Sequence, residues 1–431
     1  MKRKITQFLL EWKESSYRKP LILQGARQVG KTYSILDFGK TYYENVAYFN
    51  FETNPSLIKT FDESLEPSYL IPILSRIASQ TIVREKTLIV FDEVQLCERA
   101  VTSLKYFCED ASEYHVIVAG SLLGVAVNRT KFSFPVGKVD IKTLYPMDLE
   151  EFLQAHGEDD LIAKIRDCFD SDTPMPSALH DAAMNYYRQF LVVGGMPDCV
   201  SKFVVTKDYI LVRHTQQMIL TSYLNDMSKY NQTNEIKKVR MVYDNITVQL
   251  SKKNTRFQYK LIKKGGRAAE FENAIEWLTL SGIVTRIYHI ENIMKPLENY
   301  RDIDSFKTYV SDVGLLCAKK EIVAEDVLYL SDELNDFKGG MTENYVYCQL
   351  LANDYSCFYW SSKRSAEVDF IIQRKGKIIP IEAKSADNTK AKSLGIYIET
   401  YKPEYAIKIA GKNFGFEKGI KTIPLYAAFC I

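Results

Sequence analysis

The residues best suited to chemistry near the start of the chain form a glycine-rich run that matches the phosphate-loop pattern GxxxxGK(S/T). The eight positions are Gly25, Ala26, Arg27, Gln28, Val29, Gly30, Lys31 and Thr32. Such a loop, between a strand and a helix, turns successive backbone N–H groups toward one concavity that binds phosphate. Lys31 would contact the β- and γ-phosphates, and Thr32 would place a hydroxyl on Mg²⁺. The run therefore predicts a site for ATP or ADP together with Mg²⁺.

Two further strand ends predict groups that act on the same nucleotide. The apolar run Thr87–Phe91 ends in Asp92 and Glu93, roughly sixty residues after the phosphate loop. We expect Asp92 to hold Mg²⁺ through water and Glu93 to orient and deprotonate the attacking water. Ser121, which follows the apolar run Val116–Ala119, is a candidate sensor of the γ-phosphate. The alternatives are a solvated acidic pair and an ordinary polar residue at the end of a strand.

An arginine that completes the catalytic site is harder to place from the sequence. Arg27 lies inside the loop, and Arg99 and Arg129 lie near the expected catalytic edge. For each of them the simpler interpretation is a surface cation. If the arginine is supplied by a second copy of the chain, the protein must form a homo-oligomer to turn over ATP.

A second constellation, near the C-terminus, has the residue types of a metal-dependent nuclease centre. Glu382 and Lys384 alternate on a predicted strand and so project from one face, and a hairpin can bring Asp369 beside them. Asp369 and Glu382 would hold Mg²⁺ through hard oxygen ligands, while Lys384 would stabilise charge on a scissile phosphate. Glu343, in a helix expected to begin at Thr342, fits the additional glutamate of such centres. The alternatives are a solvated strand edge and a centre that binds DNA without cutting it.

The segment 235–267 is strongly basic in a chain that is otherwise almost neutral. Only Glu235 and Asp244 oppose its ten basic residues, which are Lys237, Lys238, Arg240, Lys252, Lys253, Arg256, Lys260, Lys263, Lys264 and Arg267. The aromatic residues Tyr243, Phe257 and Tyr259 lie among them. A basic stripe on a winged-helix unit is suited to binding the DNA backbone. The candidate DNA contacts are Lys252, Lys253, Arg256, Lys263 and Lys264. A solvated face and a protein–protein module remain open alternatives.

The elements that must position these residues alternate strands with helices over the first third of the chain. We expect strands at 21–23, 46–50, 87–91 and 116–119 in a parallel sheet, so residues 1–145 predict an α/β nucleotide-binding core. Residues 146–230 predict a helical lid or linker. Two helices and a strand within 231–325 predict a winged-helix-like domain, and residues 326–431 predict a small α/β domain.

Length and composition set wider limits. The 431 residues predict two or three domains. With 56 basic and 54 acidic residues, the net charge of +2 creates no global attraction to nucleic acid or membrane. No apolar run is long enough for a membrane span or a secretory signal, and the eight scattered cysteines predict reduced thiols. We therefore expect a cytoplasmic protein without a membrane partner.

Short motifs of the chain occur in the same order in a known protein family. They are GARQVGKT at 25–32, IVFDEVQ at 89–95, AGSLLG at 119–124, LYPMDLEEFL at 144–153, VGGMPD at 193–198, SDVGLL at 311–316, TENYV at 342–346, YWSSKRSAEVDFII at 359–372 and IPIEAKS at 379–385. On these motifs, the chain resembles prokaryotic AAA-type ATPases whose C-terminal domain of unknown function is PD-(D/E)xK nuclease-like.

The resemblance implies an AAA-type P-loop ATPase core at 1–145 and a PD-(D/E)xK nuclease-like domain at 326–431. The residues to which it gives roles are Lys31, Thr32, Asp92 and Glu93 for ATP, and Glu343, Asp369, Glu382 and Lys384 for the nuclease-like centre. Where the family usually has Gly-Arg, this chain has Gly137-Lys138. A lysine cannot bind phosphate with two parallel hydrogen bonds as an arginine does.

Two functions are consistent with the sequence. The first is Mg²⁺-dependent binding and hydrolysis of ATP by a DNA-associated protein with a nuclease-like C-terminal domain. The alternative is a nucleotide-operated switch or scaffold whose C-terminal domain is catalytically inactive and only binds a nucleic-acid or protein partner. A small-molecule kinase is disfavoured, because a water-activating glutamate such as Glu93 favours hydrolysis over phosphoryl transfer.

Overall fold

The computed structural model describes residues 1–121, 134–229, 233–251, 256–329, 334–362, 366–385 and 391–431. They divide into two compact units. The N-terminal unit comprises Lys2–Tyr145 with Leu280–Gly282, and the C-terminal unit comprises Pro146–Thr279 with Ile283–Ile431. The division after residue 145 coincides with the expected end of the nucleotide-binding core. Apart from Leu280–Gly282, the expected lid or linker region and the two expected later domains all lie within the C-terminal unit.

The N-terminal unit contains a parallel sheet. Its described strands are β1 (Leu21–Gln24), β2 (Asn45–Asn50), β3 (Thr87–Asp92), β4 (His115–Ala119) and β5 (Asp140–Thr143). Its described helices are α1 (Ile5–Glu14), α2 (Lys31–Tyr42), α3 (Leu57–Glu63), α4 (Pro67–Ile77) and α5 (Glu98–Asp110). The strands follow the order β2-β3-β4-β1-β5, and every neighbouring pair is parallel. The predicted parallel sheet is confirmed, with β5 as an additional edge strand.

Burial explains why the central strands are continuous apolar runs. β3 and β4 are buried along their whole length, as expected for parallel strands covered on both faces. Phe91 of β3 packs against Phe61 of α3, with ring centroids 5.4 Å apart, and against Phe107 of α5. Because the strands are parallel, the carboxyl ends of β1, β3 and β4 meet at one edge of the sheet. The phosphate loop, the acidic pair and Ser121 all follow these ends.

The C-terminal unit combines helices with a mixed sheet. Its described helices are α6 (Leu149–Ala155), α7 (Asp159–Ser171), α8 (Ser177–Val193), α9 (Pro197–Thr206), α10 (Tyr209–Lys229), α11 (Thr233–Ser251), α12 (Ala268–Leu280), α13 (Val313–Lys319), α14 (Ala324–Leu328), α15 (Asn335–Ala352) and α16 (Lys392–Tyr401). Its described strands are β6 (Val284–Ile290), β7 (Arg301–Val310), β8 (Phe358–Ser361), β9 (Glu367–Arg374), β10 (Lys377–Ala383), β11 (Ala406–Ala410), β12 (Gly415–Glu417) and β13 (Ile420–Pro424). The strand order is β12-β13-β11-β10-β9-β8-β6-β7.

The elements expected of a winged-helix domain are present, but their strands are part of the larger sheet. Helices α11 and α12 precede the antiparallel pair β6–β7. Strand β6 also pairs in parallel with β8, at Tyr288↔Phe358 and His289↔Tyr359. The sheet therefore continues across the boundary expected between residues 325 and 326. A short apolar strand such as β8 carries no local signal for the edge that it joins, which explains the difference.

The helix that carries Glu343 begins earlier than the sequence predicts. The expected start is Thr342, after a double glycine, but α15 begins at Asn335 and Glu343 lies near its middle. Gly340 is helical, and a Cβ atom there would lie 2.1 Å from the carbonyl oxygen of Leu250 in α11. The glycine thus allows two helices to approach closely instead of marking a helix start.

Two further observations concern the whole described chain. No helix in the described ranges is long and apolar enough to cross a membrane. All eight cysteines lie in these ranges and have free thiols, and six of them are buried. This agrees with the prediction that they are reduced packing residues.

Candidate nucleotide site and C-terminal carboxylate cluster

The phosphate loop connects β1 to α2 through a backbone turn that requires glycine at two positions. Gly25 has φ +145°, and a Cβ atom there would lie 2.2 Å from the carbonyl oxygen of Leu144. Gly30, the residue before the first turn of α2, has φ 94°, a conformation that residues with a Cβ rarely adopt. The N-terminus of α2 therefore directs its free N–H groups toward the loop, as an anion site requires.

Lys31 is buried, and the loop itself holds its ammonium group. Nζ donates to the carbonyl oxygens of Gly25 and Ala26, each at 2.8 Å. Burial lowers the pKa of Lys31 to about 8, while the negative charges of Glu93 and Asp92 oppose the shift. The ammonium thus lies against the loop backbone, where a phosphate bound by the loop would need a positive charge.

The structure brings the loop into direct contact with Asp92, the last residue of β3. The Thr32 hydroxyl donates to Oδ2 of Asp92 at 2.8 Å, and the Tyr48 hydroxyl donates to the same oxygen at 2.8 Å. Oδ1 of Asp92 accepts the backbone N–H of Glu93 at 2.9 Å. Asp92 is only 4% exposed. These hydrogen bonds therefore replace the hydrogen bonds to water that the carboxylate loses on burial.

Glu93 has the surroundings of a proton acceptor. Its backbone lies in the left-handed region, with φ 53°, a conformation that is concentrated at functional sites in residues other than glycine. Gln95 donates from Nε2 to a Glu93 carboxylate oxygen at 2.5 Å. Burial raises the pKa of Glu93, while the hydrogen bond from Gln95 opposes this. A higher pKa makes the carboxylate a better base toward water.

Two residues at this site were not found from the sequence. Tyr48 is on β2 and contacts Asp92 on the neighbouring strand β3. Arg3 is buried and donates to the Val29 carbonyl oxygen of the loop at 2.9 Å and to that of Tyr145 at 2.8 Å. Both contacts join parts of the chain that are distant in sequence. No motif surrounds either residue, so no local signal could have indicated them.

The remaining candidates of this unit differ in their surroundings. Ser121 is buried and lies two residues after the end of β4, which lies between β1 and β3. Nε of Arg99 donates to the Phe61 carbonyl oxygen at 2.7 Å. The ammonium of Lys138 lies 2.8 Å from a Glu109 carboxylate oxygen. Arg99 and Lys138 are therefore engaged with neighbouring groups, and Arg129 lies outside the described residues.

These residues fit a triphosphate with Mg²⁺. The loop backbone, the N-terminus of α2 and Lys31 present positive groups suited to phosphate. The hydroxyl of Thr32 and the carboxylate of Asp92 are hard oxygen donors within hydrogen-bonding distance of each other. Such a pair can hold one Mg²⁺ directly or through water.

In the C-terminal unit, a carboxylate cluster forms where β7, α15, β9 and β10 meet. We use this name for the carboxylates of Glu343, Glu367, Asp369 and Glu382 and the ammonium groups of Lys307 and Lys384. The residues Glu343, Asp369, Glu382 and Lys384, which the sequence indicated, are thus brought together. Lys307 and Glu367 join them, as does the hydroxyl of Tyr309.

The β9–β10 hairpin positions the two predicted metal ligands of the cluster. Oδ2 of Asp369 accepts the backbone N–H of Ala383 at 2.8 Å. Glu382 lies 2.5 Å from the Lys384 ammonium and accepts the backbone N–H of Leu394 at 3.1 Å. Burial raises the pKa of Asp369, and the nearby charge of Glu343 adds to this, while Lys307 and Lys384 oppose it.

Lys307 places a positive charge inside the cluster. Its Nζ lies 2.7 Å from Oε1 of Glu343 and 2.5 Å from Oε1 of Glu367. The Tyr309 hydroxyl donates to the same Glu343 oxygen at 2.5 Å. Glu343 and Glu367 therefore do not fit a divalent ion between them, because the Lys307 ammonium already bridges these two carboxylates. Among the described side chains, no group of three or more His, Cys, Asp and Glu could hold a metal ion.

The basic segment exposes part of its charge, but its aromatic residues point inward. Tyr243 and Phe257 are buried, and Phe257 stacks on Phe306 with ring centroids 5.3 Å apart. The Tyr259 hydroxyl donates to Glu272 at 2.9 Å. These rings therefore pack in the core and are not available to stack on bases. The exposed basic residues in the described part of the segment are Lys237, Arg240, Arg256, Lys260, Lys263, Lys264 and Arg267. Lys252 and Lys253 lie outside the described residues.

Comparison with solved structures gives matches of low similarity. The RuvB Holliday junction branch migration motor of Thermotoga maritima is 14% identical, with 66% of this chain and 90% of that chain covered, and a TM-score of 0.30. The ORC2 protein of Aeropyrum pernix, in ADPNP-ADP complexes, is 11% identical, with 78% and 92% covered and a TM-score of 0.33. The ORC1 protein of Aeropyrum pernix, in complex with DNA, is 11% identical, with 74% and 91% covered and a TM-score of 0.27. Scores of this size do not establish a common fold.

Comparison with protein families is more specific. No curated protein matches the chain. Residues 184–326 match one domain of unknown function (DUF8612), and residues 338–428 match another (DUF4143). Residues 17–153 match the AAA domain, and they contain the phosphate loop, the parallel sheet and the acidic pair. The first third of the chain is therefore an AAA-type P-loop ATPase domain.

Proposed function

We propose that the chain binds ATP with Mg²⁺ and hydrolyses it at the site formed by the phosphate loop and the acidic pair. The observation that supports this most directly is the 2.8 Å hydrogen bond between Thr32 and Asp92, which joins the two motifs. Lys31 would bind the β- and γ-phosphates, and Glu93 would accept a proton from the attacking water. Thr32 and Asp92 would hold Mg²⁺, which neutralises charge on the phosphate oxygens when bound.

The test measures nucleotide binding and phosphate release separately. We expect Lys31→Ala to lose both. We expect Glu93→Gln to keep binding and to slow release by about 10²–10⁴-fold, the usual contribution of a general base. Chelation of Mg²⁺ should abolish release by the wild type. Lys40→Ala, an exposed lysine on the same helix, is the control and should behave like the wild type. Unchanged turnover by Lys31→Ala would refute the proposal.

A homo-oligomer forms part of this proposal, with a catalytic arginine supplied by a second copy. The support is indirect: Arg99 and Lys138 are engaged with neighbouring groups of their own unit. Turnover per chain should then rise with protein concentration, and a nucleotide-dependent increase in mass should accompany it. Full turnover by a monomer would exclude the second copy.

We further propose that the C-terminal unit associates with nucleic acid, most simply DNA, through the exposed basic residues of 256–267. Arg256 and Lys264 are exposed, and within the described ranges neither has an ion-pair partner, whereas Lys263 pairs with Glu270 at 2.9 Å. Arg256 also lines a cavity of about 40 Å³ together with Lys307 and Glu343. The basic surface and the carboxylate cluster therefore adjoin each other.

Salt dependence of DNA binding tests this second proposal. Arg256→Glu with Lys264→Glu should weaken binding and reduce the slope of log K against log salt by about 2, roughly one per lost phosphate contact. Lys375→Glu with Lys418→Glu changes the same charge at exposed lysines elsewhere in the unit and should have little effect. Equal effects of the two pairs would show a response to net charge and would contradict a local DNA surface.

For the C-terminal unit we favour binding of nucleic acid without cleavage over a nuclease activity at the carboxylate cluster. A PD-(D/E)xK-type centre would need divalent metal at Asp369 and Glu382, yet among the described side chains no group of three or more His, Cys, Asp and Glu could hold a metal ion. Wild-type protein should therefore leave plasmid DNA intact with Mg²⁺ or Mn²⁺, whatever the nucleotide. Cleavage that disappears in Asp369→Ala and Lys384→Ala would restore the nuclease interpretation.

A further inference from the structure

The carboxylate cluster contains its own cation. Lys307 is on β7, and its side chain is 9% exposed. It reaches Glu343 on α15 at 2.7 Å and Glu367 on β9 at 2.5 Å, so one ammonium bridges two elements. The Lys307 ammonium therefore occupies the position between the two carboxylates where a bridging metal ion would bind.

The surroundings of Lys307 keep its charge in place. Burial is the largest single influence and lowers the pKa of Lys307. The carboxylates of Glu343, Glu367 and Asp369 together outweigh it, so the pKa is raised above its ordinary value. The ring of Tyr359 lies 5.2 Å from Nζ and adds a weak attraction for the cation. Lys307 is therefore protonated at neutral pH and bound from several sides.

A divalent ion at this position would meet the ammonium at close range. Its carboxylate ligands would have to lie at roughly 2.0–2.6 Å from the metal, yet one oxygen of Glu343 and one of Glu367 already contact Nζ. The two cations would repel each other strongly in a site with little water. The metal could bind only after Lys307 had left.

We propose that Lys307 is the resident cation of the carboxylate cluster and excludes divalent metal from it. The Lys307 ammonium then joins α15 to the sheet through Glu343 and Glu367 and offsets part of the negative charge of the cluster. Removal of the Lys307 ammonium should convert the cluster into a divalent-cation site, because Glu343 and Glu367 would remain near Asp369 without the cation that bridges them. Lys307 is thus a positioning residue whose side chain replaces a metal.

Binding of Mn²⁺, followed by electron paramagnetic resonance without nucleotide, tests the proposal. Every protein should carry Asp92→Asn, which removes the predicted metal ligand of the AAA domain. In this background, the protein with Lys307 intact should bind no Mn²⁺ at the cluster below about 1 mM. The Lys307→Met variant should bind one Mn²⁺ ion at least about tenfold more tightly. The added Mn²⁺ should disappear when Asp369→Asn is combined with Lys307→Met.

Lys319→Met is the matched control, because Lys319 is also a largely buried lysine, 13% exposed, and pairs with Asp244 at 2.8 Å. It should gain no Mn²⁺. The Mn²⁺ titration of the Asp92→Asn protein with Lys307 intact tests the proposal even if Lys307→Met fails to fold. Tight Mn²⁺ binding by the parent that Asp369→Asn abolishes would overturn the proposal, and so would a folded Lys307→Met that binds no Mn²⁺.

Discussion

Tyr48→Phe removes the hydroxyl that Tyr48 donates to Asp92 and keeps the ring. The bond is 2.8 Å long and shares its acceptor oxygen with Thr32. Burial raises the pKa of Tyr48 to about 12, so the hydroxyl is a donor at neutral pH. A hydrogen bond to a charged group contributes about 1.5–3 kcal/mol, and less where water can replace it. Because Tyr48 is 37% exposed, we expect a loss of about 1 kcal/mol, roughly a fivefold change in an equilibrium constant.

We expect the loss of this hydrogen bond to lower both the free energy of unfolding and the rate of ATP hydrolysis. Urea unfolding should show that the free energy of unfolding falls by about 1 kcal/mol, and ATP hydrolysis should lose about fivefold in kcat/KM, because Asp92 is then held by one hydroxyl instead of two. Tyr42→Phe is the control: Tyr42 is equally exposed, at 37%, and its hydroxyl makes no hydrogen bond to another described residue. If the two variants cannot be distinguished in either assay, the Tyr48 contact does not position Asp92.

Two other predictions concern stability. Gly195→Ala would place a Cβ atom 1.9 Å from the Met147 carbonyl oxygen, so thermal unfolding should shift down by several degrees, whereas Gly395→Ala, a helical glycine with no atom within 4 Å of its Cβ position, should leave the midpoint unchanged or raise it. Burial lowers the pKa of His115 to about 4, with the charges of Arg18 and Lys13 adding to the shift. Protonation of His115 therefore opposes folding. Its effect on the free energy of unfolding is absent above pH 6.5, and this free energy falls by at most about 1.4 kcal/mol per pH unit as the pH is lowered toward 4. Unfolding at pH 7 and pH 5 should show a larger loss for the wild type than for His115→Gln, and equal losses would contradict this.

The nucleotide site could be predicted from the sequence because its main parts are local. Gly25 to Thr32 form one continuous run, and the acids directly follow one buried strand. Parallel strands then bring these ends together without further information. Arg3 and Tyr48 could not be predicted, because their contacts with Val29 and Asp92 depend on how distant segments pack.

The C-terminal unit shows the opposite balance. The pattern of Asp369, Glu382 and Lys384 correctly indicated residues that meet, since one hairpin joins them. Lys307 is about sixty residues earlier in the chain and reaches the cluster only because β7 joins the same sheet. The sequence therefore indicated that Asp369, Glu382 and Lys384 would meet, but not the cation that bridges Glu343 and Glu367.

The two acidic sites differ in the groups that hold their carboxylates. Asp92 accepts its hydrogen bonds from two hydroxyls and a backbone N–H. These donors are neutral, so they hold the carboxylate in place and leave its negative charge for Mg²⁺. Glu343 and Glu367 instead contact the ammonium of Lys307, which cancels charge that a metal would use. A carboxylate that accepts hydrogen bonds from neutral donors keeps its negative charge available for a metal cation, whereas a carboxylate that contacts an ammonium group already has a cation bound.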